Sequence, residues 1–557
     1  MVREERSVSA RSGAARTPSF GRRLAGGLCA LLLVALAPGT AAAATPSPSP
    51  SPSDEAGSGG LDPRITEIMR KPEYRNAQWG LLQSDPENGR VTHSRFPEQF
   101  FIPGSTAKLF SVSGPWDTLG GGHRFETPVY AVGPRSGSTL DGDLALVAQG
   151  DLTMGGRTRP DGTVAFTDLD HTYANDFPGA TLTPQDPLAG IDLIARQVRR
   201  SGITRVDGDV IVDDRLFQPE PVLDPTPTPL IINDNLIDLM TTPGDRAGAP
   251  VRLDWRPKVA PYRVTSTVKT VAAGKPTAIA VTASADGTRI SLSGTIAAGS
   301  APLLRVSPIA DPAAFGRTAL IEALERAGVE VTAEPTGPNP VAGLPGSYGK
   351  DDRVAVYTSP PYADYAELIL KVSHNLGANL GICLMAVEAG SGQCMDGFPV
   401  LARFLDRAGV DREQVELLDG RGGNPVDRAT PRAEVQMLTY WTRTPEARRF
   451  REALPVLGVD GLLADNCRDC PARGKVFAKT GAAVGLDALN DRLGAGAITI
   501  AGYLDRGDGR FDTFYVGVNG ASTPTADPAG VLAIANDLAM ISAYLQESAA
   551  RGTDRGE

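Results

Sequence analysis

The spacing of apolar residues changes twice along this chain, near residue 126 and near residue 356. Between these points short β-like runs recur, separated by Pro and Gly, at residues 144–148, 210–212, 278–284, 289–294 and 303–306. Two stretches there, 187–201 and 317–328, carry helical spacing instead. Alternation with a period of two indicates strands, and a period near 3.6 indicates helices. We therefore predict a large, mostly β segment in the middle of the chain.

The parts on either side of this segment have the pattern of an α/β body. Apolar spacing predicts helices at residues 362–372, 376–388, 398–408, 432–442 and 528–546. Alternation predicts strands at residues 79–83, 90–94, 476–479, 497–504 and 513–518. We expect residues 61–125 and 357–546 to form one α/β (α+β) domain, interrupted by residues 126–356. Residues 547–557 are expected to form a disordered tail.

The first 60 residues have the composition of an export leader followed by a spacer. Arg22 and Arg23 precede the apolar run 24–37, and small residues at 41–44 offer cleavage sites. We predict a signal peptide at residues 1–44, with an uncleaved anchor as the alternative. Residues 45–60, TPSPSPSPSDEAGSGG, are expected to be a disordered linker. The protein would then act outside the membrane.

Length and charge narrow the function further. The 557 residues are too many for one ordinary core. The formal net charge is −10. Residues 1–44 are rich in arginine, so the chain that remains after their removal is more acidic still. Because nucleic-acid binding usually needs a basic face, we expect no nucleic-acid partner.

Four cysteines follow the leader, and export makes disulfides plausible. Four cysteines allow three pairings. We favour Cys383–Cys394 and Cys467–Cys470, since each pair would close a short loop. Zinc binding is the alternative, but the chain has one CxxC and few histidines. We therefore expect neither a metal nor another cofactor.

Three short motifs stand in a set order along the chain. They are Ser105-Thr106-Ala107-Lys108, Ser373-His374-Asn375 and Lys479-Thr480-Gly481, which match SxxK, SxN and KTG. Each is weak alone, but the ordered trio indicates a serine acyl-transfer site whose proton chemistry uses lysine.

The first motif supplies the nucleophile and its partner. Positions three apart share a helix face, so Lys108 would point at the Ser105 hydroxyl. A lysine acts as a base only when it is uncharged, and free lysine titrates near ~10.4. Burial and a second cation, Lys479, could lower this value towards ~7–8. Whether the lysine or another group is the base is disputed in related enzymes.

The other motifs would complete the site. We assign Ser373 to proton relay towards the leaving amine, and Asn375 to orienting Lys108 and a substrate amide. Lys479 would attract a substrate carboxylate with help from Thr480, and Gly481 would leave room for substrate along the strand. The backbone N–H groups of Ser105 and Ala482 would form the oxyanion hole.

Rival readings have less support in the sequence. A second SxxK, at Ser266 to Lys269, lies in a run rich in β-branched residues and is expected to be an exposed strand. The chain has four histidines and no GxSxG elbow, which argues against a Ser-His-Asp hydrolase. His374 is expected to be a solvated polar residue.

Longer stretches around these motifs resemble the penicillin-binding D-alanyl-D-alanine carboxypeptidase/endopeptidase family, serine peptidases whose catalytic domain is split by an insertion. The similar stretches are Pro103-Gly-Ser-Thr-Ala-Lys-Leu-Phe110, Asp141-Gly-Asp-Leu-Ala-Leu-Val147, Gly150-Asp-Leu-Thr153, Gly208-Asp-Val-Ile-Val-Asp-Asp214 and Asn233-Asp-Asn235. Departures are Gly104 for the usual Ala, Pro115 inside the first helix, the altered stretch at 419–425, and Ala482 for the frequent Thr.

The resemblance covers about residues 76–540 and implies a penicillin-recognising fold with a five-stranded sheet, helices and two small insertion domains. It implies peptidoglycan stem peptide as substrate and acylation of Ser105 by β-lactams. We therefore predict an exported serine D,D-peptidase associated with the cell envelope. The alternatives are a β-lactamase, which needs a deacylating carboxylate, and a wall-binding pseudoenzyme. Carboxypeptidase or endopeptidase preference, the third stem residue and the oligomeric state stay open.

Overall fold

The computed structural model describes residues 60–524 and 526–553. The predicted signal peptide, and the linker up to residue 59, lie outside the described residues. The final helix runs to Thr553, so the first residues of the predicted disordered tail are helical instead. Apolar residues up to Leu545 are buried in this helix, and the helical backbone continues beyond them to Thr553.

The described residues contain both strands and helices, with runs of consecutive strands in the insertion. The strands are β1 Gln78–Ser84, β2 Val91–Arg95, β3 Glu126–Val132, β4 Arg135–Ser136, β5 Thr139–Leu140, β6 Asp143–Val147, β7 Arg205–Val206, β8 Val210–Asp213, β9 Leu236–Thr242, β10 Arg252–Arg256, β11 Arg263–Ser266, β12 Lys269–Val271, β13 Ala278–Ala283, β14 Arg289–Ala297, β15 Leu303–Pro308, β16 Glu330–Val331, β17 Arg353–Thr358, β18 Val415–Glu416, β19 Arg428–Ala429, β20 Val476–Asp487, β21 Arg492–Asp505 and β22 Phe511–Ser522. The α-helices are α1 Pro63–Met69, α2 Lys108–Leu119, α3 Ala189–Arg200, α4 Pro312–Arg326, α5 Tyr362–Lys371, α6 Asn375–Glu388, α7 Gly397–Ala408, α8 Pro431–Thr442, α9 Ala447–Glu452 and α10 Pro528–Thr553.

A five-stranded sheet of order β2-β1-β22-β21-β20 forms the centre of the catalytic domain. All its neighbours pair antiparallel. Successive residues of a strand face opposite sides. Leu81 accordingly packs in the core under α1 and α10, whereas Leu82 packs with α2 and α5 to α8. The sheet therefore has a helical layer on each face, and the mixed α/β prediction is confirmed.

Strand β20 lies at one edge of this sheet and is longer than predicted. It carries the third motif. In the helical layer on one face of the sheet, α2 packs against α6. Helix α2 begins at the last residue of the first motif, and α6 begins at the last residue of the second. The fold thus places three distant segments at one corner of the sheet.

The ends of the insertion meet each other. Strand β3 pairs with β17, with Thr127 opposite Tyr357, so the chain leaves and re-enters the catalytic domain at one place. Between them lie small sheets with α3 and α4 packed in one apolar core. The second SxxK spans the end of β11 and the start of β12, in the insertion, as its β-branched surroundings predict.

Helix α2 runs past Pro115 to Leu119. Proline inside a helix costs about 3 kcal/mol through its missing N–H and its ring. Here the ring packs on Gly381 of α6, where a Cβ atom would come within 2.8 Å of the ring. Helix α2 continues beyond the proline, packed against α6.

Candidate active site

Ser105 lies on a short 3₁₀ turn, Gly104–Ala107, that runs directly into α2. Lys108 is the first residue of that helix, and its Nζ lies 2.7 Å from Ser105 Oγ. The lysine side chain is fully buried. The one-turn spacing therefore joins the amine and the hydroxyl directly.

Two further oxygen atoms hold the same amine. Lys108 Nζ donates to Asn375 Oδ1 at 2.8 Å and to the Arg421 carbonyl at 3.2 Å. Asn375 begins α6, and Arg421 belongs to the loop before β19. Asn375 thus contacts Lys108, the residue that the motif predicts it to orient, whereas no sequence signal pointed to the Arg421 carbonyl.

The surroundings of Lys108 favour the uncharged amine. Burial lowers the pKa of Lys108 well below its usual range, and the charges of Lys479 and Arg421 lower it further. Asp419 acts in the opposite direction but does not reverse the shift. The Asp419 carboxylate accepts backbone N–H groups of its own loop, including that of Gly422 at 2.6 Å.

The second motif occupies the turn between α5 and α6. Ser373 has φ 60°, a left-handed conformation that is uncommon for a residue with a side chain. Its Oγ lies 2.9 Å from Lys479 Nζ, which also donates to the Thr480 carbonyl at 2.6 Å. Burial lowers the pKa of Lys479 to about 7, and Glu434 opposes this shift.

The third motif brings the edge strand against the nucleophile. A Cβ atom on Gly481 would come within 2.9 Å of Ser105 N, and one on Gly104 within 2.6 Å of Ala482 N. The missing side chain of Gly481 therefore makes room for the turn that carries Ser105. This contact also brings the amides of Ser105 and Ala482 to the same corner. Thr480 is half-buried and Ala482 is exposed beside them.

His374 differs from its prediction as a solvated residue. It is fully buried, its Nδ1 accepts the Gly377 N–H at 3.0 Å, and its Nε2 lies 3.0 Å from Asp234 Oδ1. The left-handed turn at Ser373 directs the next side chain inward, towards the insertion. The sequence could not show this, because Asp234 lies 140 residues away along the chain.

Both predicted disulfides are present. Cys383 is bonded to Cys394, and Cys467 to Cys470. The first joins α6 to the turn before α7, behind the site. The second closes a loop ahead of β20.

The fold and the site together are typical of a serine-type hydrolase, with a buried lysine in contact with a serine hydroxyl. Residues 61–536 match the D-Ala-D-Ala carboxypeptidase 3 (S13) family. A D-alanyl-D-alanine carboxypeptidase of Actinomadura sp. (strain R39) is 27% identical over 449 residues, covering 76% of this chain and 77% of the relative. Penicillin-sensitive carboxypeptidase A of Dictyostelium discoideum is 23% identical over 435 residues, covering 74% of this chain and 78% of the relative.

A solved structure shares the fold. Penicillin binding protein 4 of Haemophilus influenzae superposes with a TM-score of 0.64 at 18% identity, covering 87% of this chain and 99% of that one. The chain therefore belongs to the S13 family of D-Ala-D-Ala carboxypeptidases, and it is a serine-type hydrolase. The family resemblance predicted from the motifs is confirmed.

Proposed function

We propose that this protein is an exported D,D-peptidase that cleaves the D-Ala–D-Ala bond of peptidoglycan stem peptides through an acyl-enzyme on Ser105. The observation that carries the proposal is the buried contact between Lys108 Nζ and Ser105 Oγ at 2.7 Å. Membership in a family that acts on peptidoglycan and binds β-lactams supports the substrate class. Export to the cell-wall side is part of the proposal, because the substrate is found there.

The hydrogen bonds around Lys108 explain how Ser105 is activated. An uncharged amine has two N–H groups and one lone pair. The Asn375 and Arg421 oxygens are both acceptors, so they take the two N–H groups. The lone pair is then left for the Ser105 O–H, and Lys108 takes this proton as Ser105 attacks the carbonyl of the penultimate D-Ala.

The remaining groups deal with charge and the leaving group. The negative charge on the attacked oxygen is stabilised by the N–H groups of Ser105 and Ala482. Ser373 passes a proton from Lys479 to the amine of the departing D-Ala, while Lys108 keeps the proton taken from Ser105, so acylation leaves Lys108 charged and Lys479 uncharged. Lys479 also attracts the terminal carboxylate. The stem peptide lies along the free edge of β20, and water then hydrolyses the ester on Ser105.

Covalent labelling tests the proposal. The purified protein is incubated with a fluorescent penicillin, and intact mass and gel fluorescence are measured with Ser105→Ala as the control. A stem pentapeptide is assayed in parallel for released D-alanine. We expect one label per chain, its loss in Ser105→Ala, and D-alanine release by the unmodified protein alone. A protein that neither takes the label nor releases D-alanine would refute the proposal.

A further inference from the structure

A buried network of charged side chains in the insertion reaches the turn that carries Ser373. Its members come from the segment 157–171 and from the turn and two strands at 233–256. They are Arg157, Asp170, His171, Asp234, Asp238 and Arg256. Among the residues that the structure describes, no group of three or more His, Cys, Asp or Glu has a metal-binding arrangement. The network is held together by ion pairs.

Asp234 lies at the centre of this network. Its Oδ2 accepts from Arg157 Nη2 at 2.7 Å and from His171 Nε2 at 2.7 Å, and its Oδ1 faces His374 Nε2 at 3.0 Å. The backbone around it is unusual, because Asn233, Asp234 and Asn235 all have φ between 52° and 56°. Asn and Asp tolerate this conformation better than other residues with side chains. The turn thus presents one carboxylate to three donors.

The hydrogen bonds fix the proton positions in the two histidines. A backbone N–H can only donate, so His374 Nδ1, which accepts from Gly377, has no proton, and Nε2 donates to Asp234. His171 faces carboxylates with both ring nitrogens, Asp238 at 2.6 Å and Asp234 at 2.7 Å, and is therefore the imidazolium. Three cations then balance three carboxylates, and His374 is the neutral link to the catalytic domain.

The network also fixes a second contact with the same turn. Arg157 makes a paired contact with Asp170, and Asp170 accepts the Thr172 N–H at the start of the 3₁₀ turn His171–Tyr173. The Tyr173 hydroxyl donates to the carbonyl of Ser373. The insertion therefore holds two successive residues, Ser373 by its carbonyl and His374 by its ring.

We propose that Tyr173 and Asp234 are positioning residues that hold Ser373 in its left-handed conformation, with Oγ directed at Lys479. This inference rests on the proposed acyl transfer. The insertion then serves the chemistry of a site to which it contributes no reacting group. The two contacts determine whether the proton chain from Lys479 through Ser373 is assembled before substrate arrives.

Tyr173→Phe is the direct test, because it removes one hydroxyl and leaves the ring. The second-order rate constant of acylation by a fluorescent penicillin is measured, with thermal unfolding in parallel. We expect the rate to fall about tenfold, the effect of one hydrogen bond. Tyr503→Phe is the matched control, since its buried hydroxyl also donates to a backbone carbonyl, that of Leu438 at 2.8 Å. The control is expected to keep the unmodified rate.

A double-mutant cycle separates positioning from general destabilisation. If Tyr173 acts through Ser373, then Tyr173→Phe has no further effect on the rate once Ser373→Ala is present. Asp234→Asn is expected to slow acylation in the same non-additive way. Asp209→Asn, which weakens the Arg317 pair within the insertion, is expected to lower stability without slowing acylation.

The outcomes distinguish this inference from the proposed function. Labelling of the unmodified protein together with a slowed, non-additive Tyr173→Phe variant supports both. Labelling of the unmodified protein with an unchanged rate in Tyr173→Phe, or with an equal loss in the Ser373→Ala background, overturns the positioning role alone. Failure of the unmodified protein to label overturns both.

Discussion

The catalytic domain and the insertion both bury cationic side chains, but they surround them with opposite partners. Lys108 and Lys479 hydrogen-bond to hydroxyl, amide and carbonyl oxygens, and burial lowers the pKa of both. Arg157 and His171 contact carboxylates directly. Burial alone would lower the pKa of His171, but Asp238 and Asp170 raise it to about 10.

The difference shows that burial of a basic side chain can either favour its neutral form or keep it charged, depending on its hydrogen-bond partners. Removing a cation from water favours its neutral form, and a carboxylate within hydrogen-bond distance reverses that preference. Neutral oxygen partners leave an amine with a lone pair that can take a proton. Carboxylate partners keep the cation charged and form buried ion pairs with it. Removing one partner of such a pair leaves an unpaired buried ion.

The largest expected effect comes from replacing the lysine that contacts the nucleophile. Lys108→Met keeps the apolar length of the side chain but removes the amine that we propose as the base. We expect acylation by penicillin to slow by about 1,000-fold, within the range for general bases. Because the amine is buried without a carboxylate partner, stability should not fall. Stopped-flow labelling and urea unfolding measure the two quantities, and a near-normal rate would contradict the assignment.

The matching change in the insertion, Arg157→Met, should lower the stability of the protein, which Lys108→Met should not. Arg157→Met removes the cation that pairs with both Asp170 and Asp234, and these two buried carboxylates then have only His171 as a charged neighbour. Removing one partner of a buried ion pair costs about 3–5 kcal/mol. We expect this loss in the free energy of unfolding, measured in urea at pH 7. A loss below about 1 kcal/mol in the free energy of unfolding would contradict the idea that the buried cations of the insertion, unlike Lys108, are needed for stability.

A smaller, pH-dependent effect is expected at Glu434, which accepts from Thr106 at 2.7 Å behind the nucleophile. Burial raises the pKa of this carboxyl from 4.5 to about 8. The unfolded chain therefore releases its proton first, and rising pH between 4.5 and 8 costs stability. Glu434→Gln removes that cost. Its advantage over the unmodified protein should be near zero at pH 4.5 and on the order of a few kcal/mol at pH 8.

Unfolding curves at several pH values check this expectation. Glu452→Gln, at an exposed side chain that pairs with Arg448, is the control and should show no such trend. A Glu434→Gln variant whose advantage stays constant with pH would mean that Glu434 is ionised in the folded protein.

Local pattern predicted much of the fold. The strands at 79–83 and 497–504 lie within β1 and β21, and the helix at 376–388 is the body of α6. Alternation and helical spacing are properties of neighbouring residues, so they can be read without a structure. Helix α10 ends later than predicted because its periodic pattern stops before its backbone hydrogen bonds do.

The candidate site divides in the same way. Ser105 and Lys108 are one helical turn apart, so their contact follows from spacing alone. The contacts of Asp234 with His374 and of the Arg421 carbonyl with Lys108 cannot be predicted from spacing, since the partners lie 140 and 313 residues apart. Gly481 was expected to make room for substrate, but its lack of a side chain also makes room for Ser105 N. Such contacts arise from tertiary packing and leave no periodic trace.

The most direct test of the account is the titration of Lys108 itself. The chain has nine lysines, so selective labelling with ¹³C- and ¹⁵N-lysine gives few side-chain signals, and Lys108→Met assigns the one of interest. We predict that the pKa of Lys108 lies well below the ordinary lysine value of 10.5, because the amine is buried beside Lys479. A Lys108 signal that keeps the chemical shift of a charged amine up to pH 10 would contradict it.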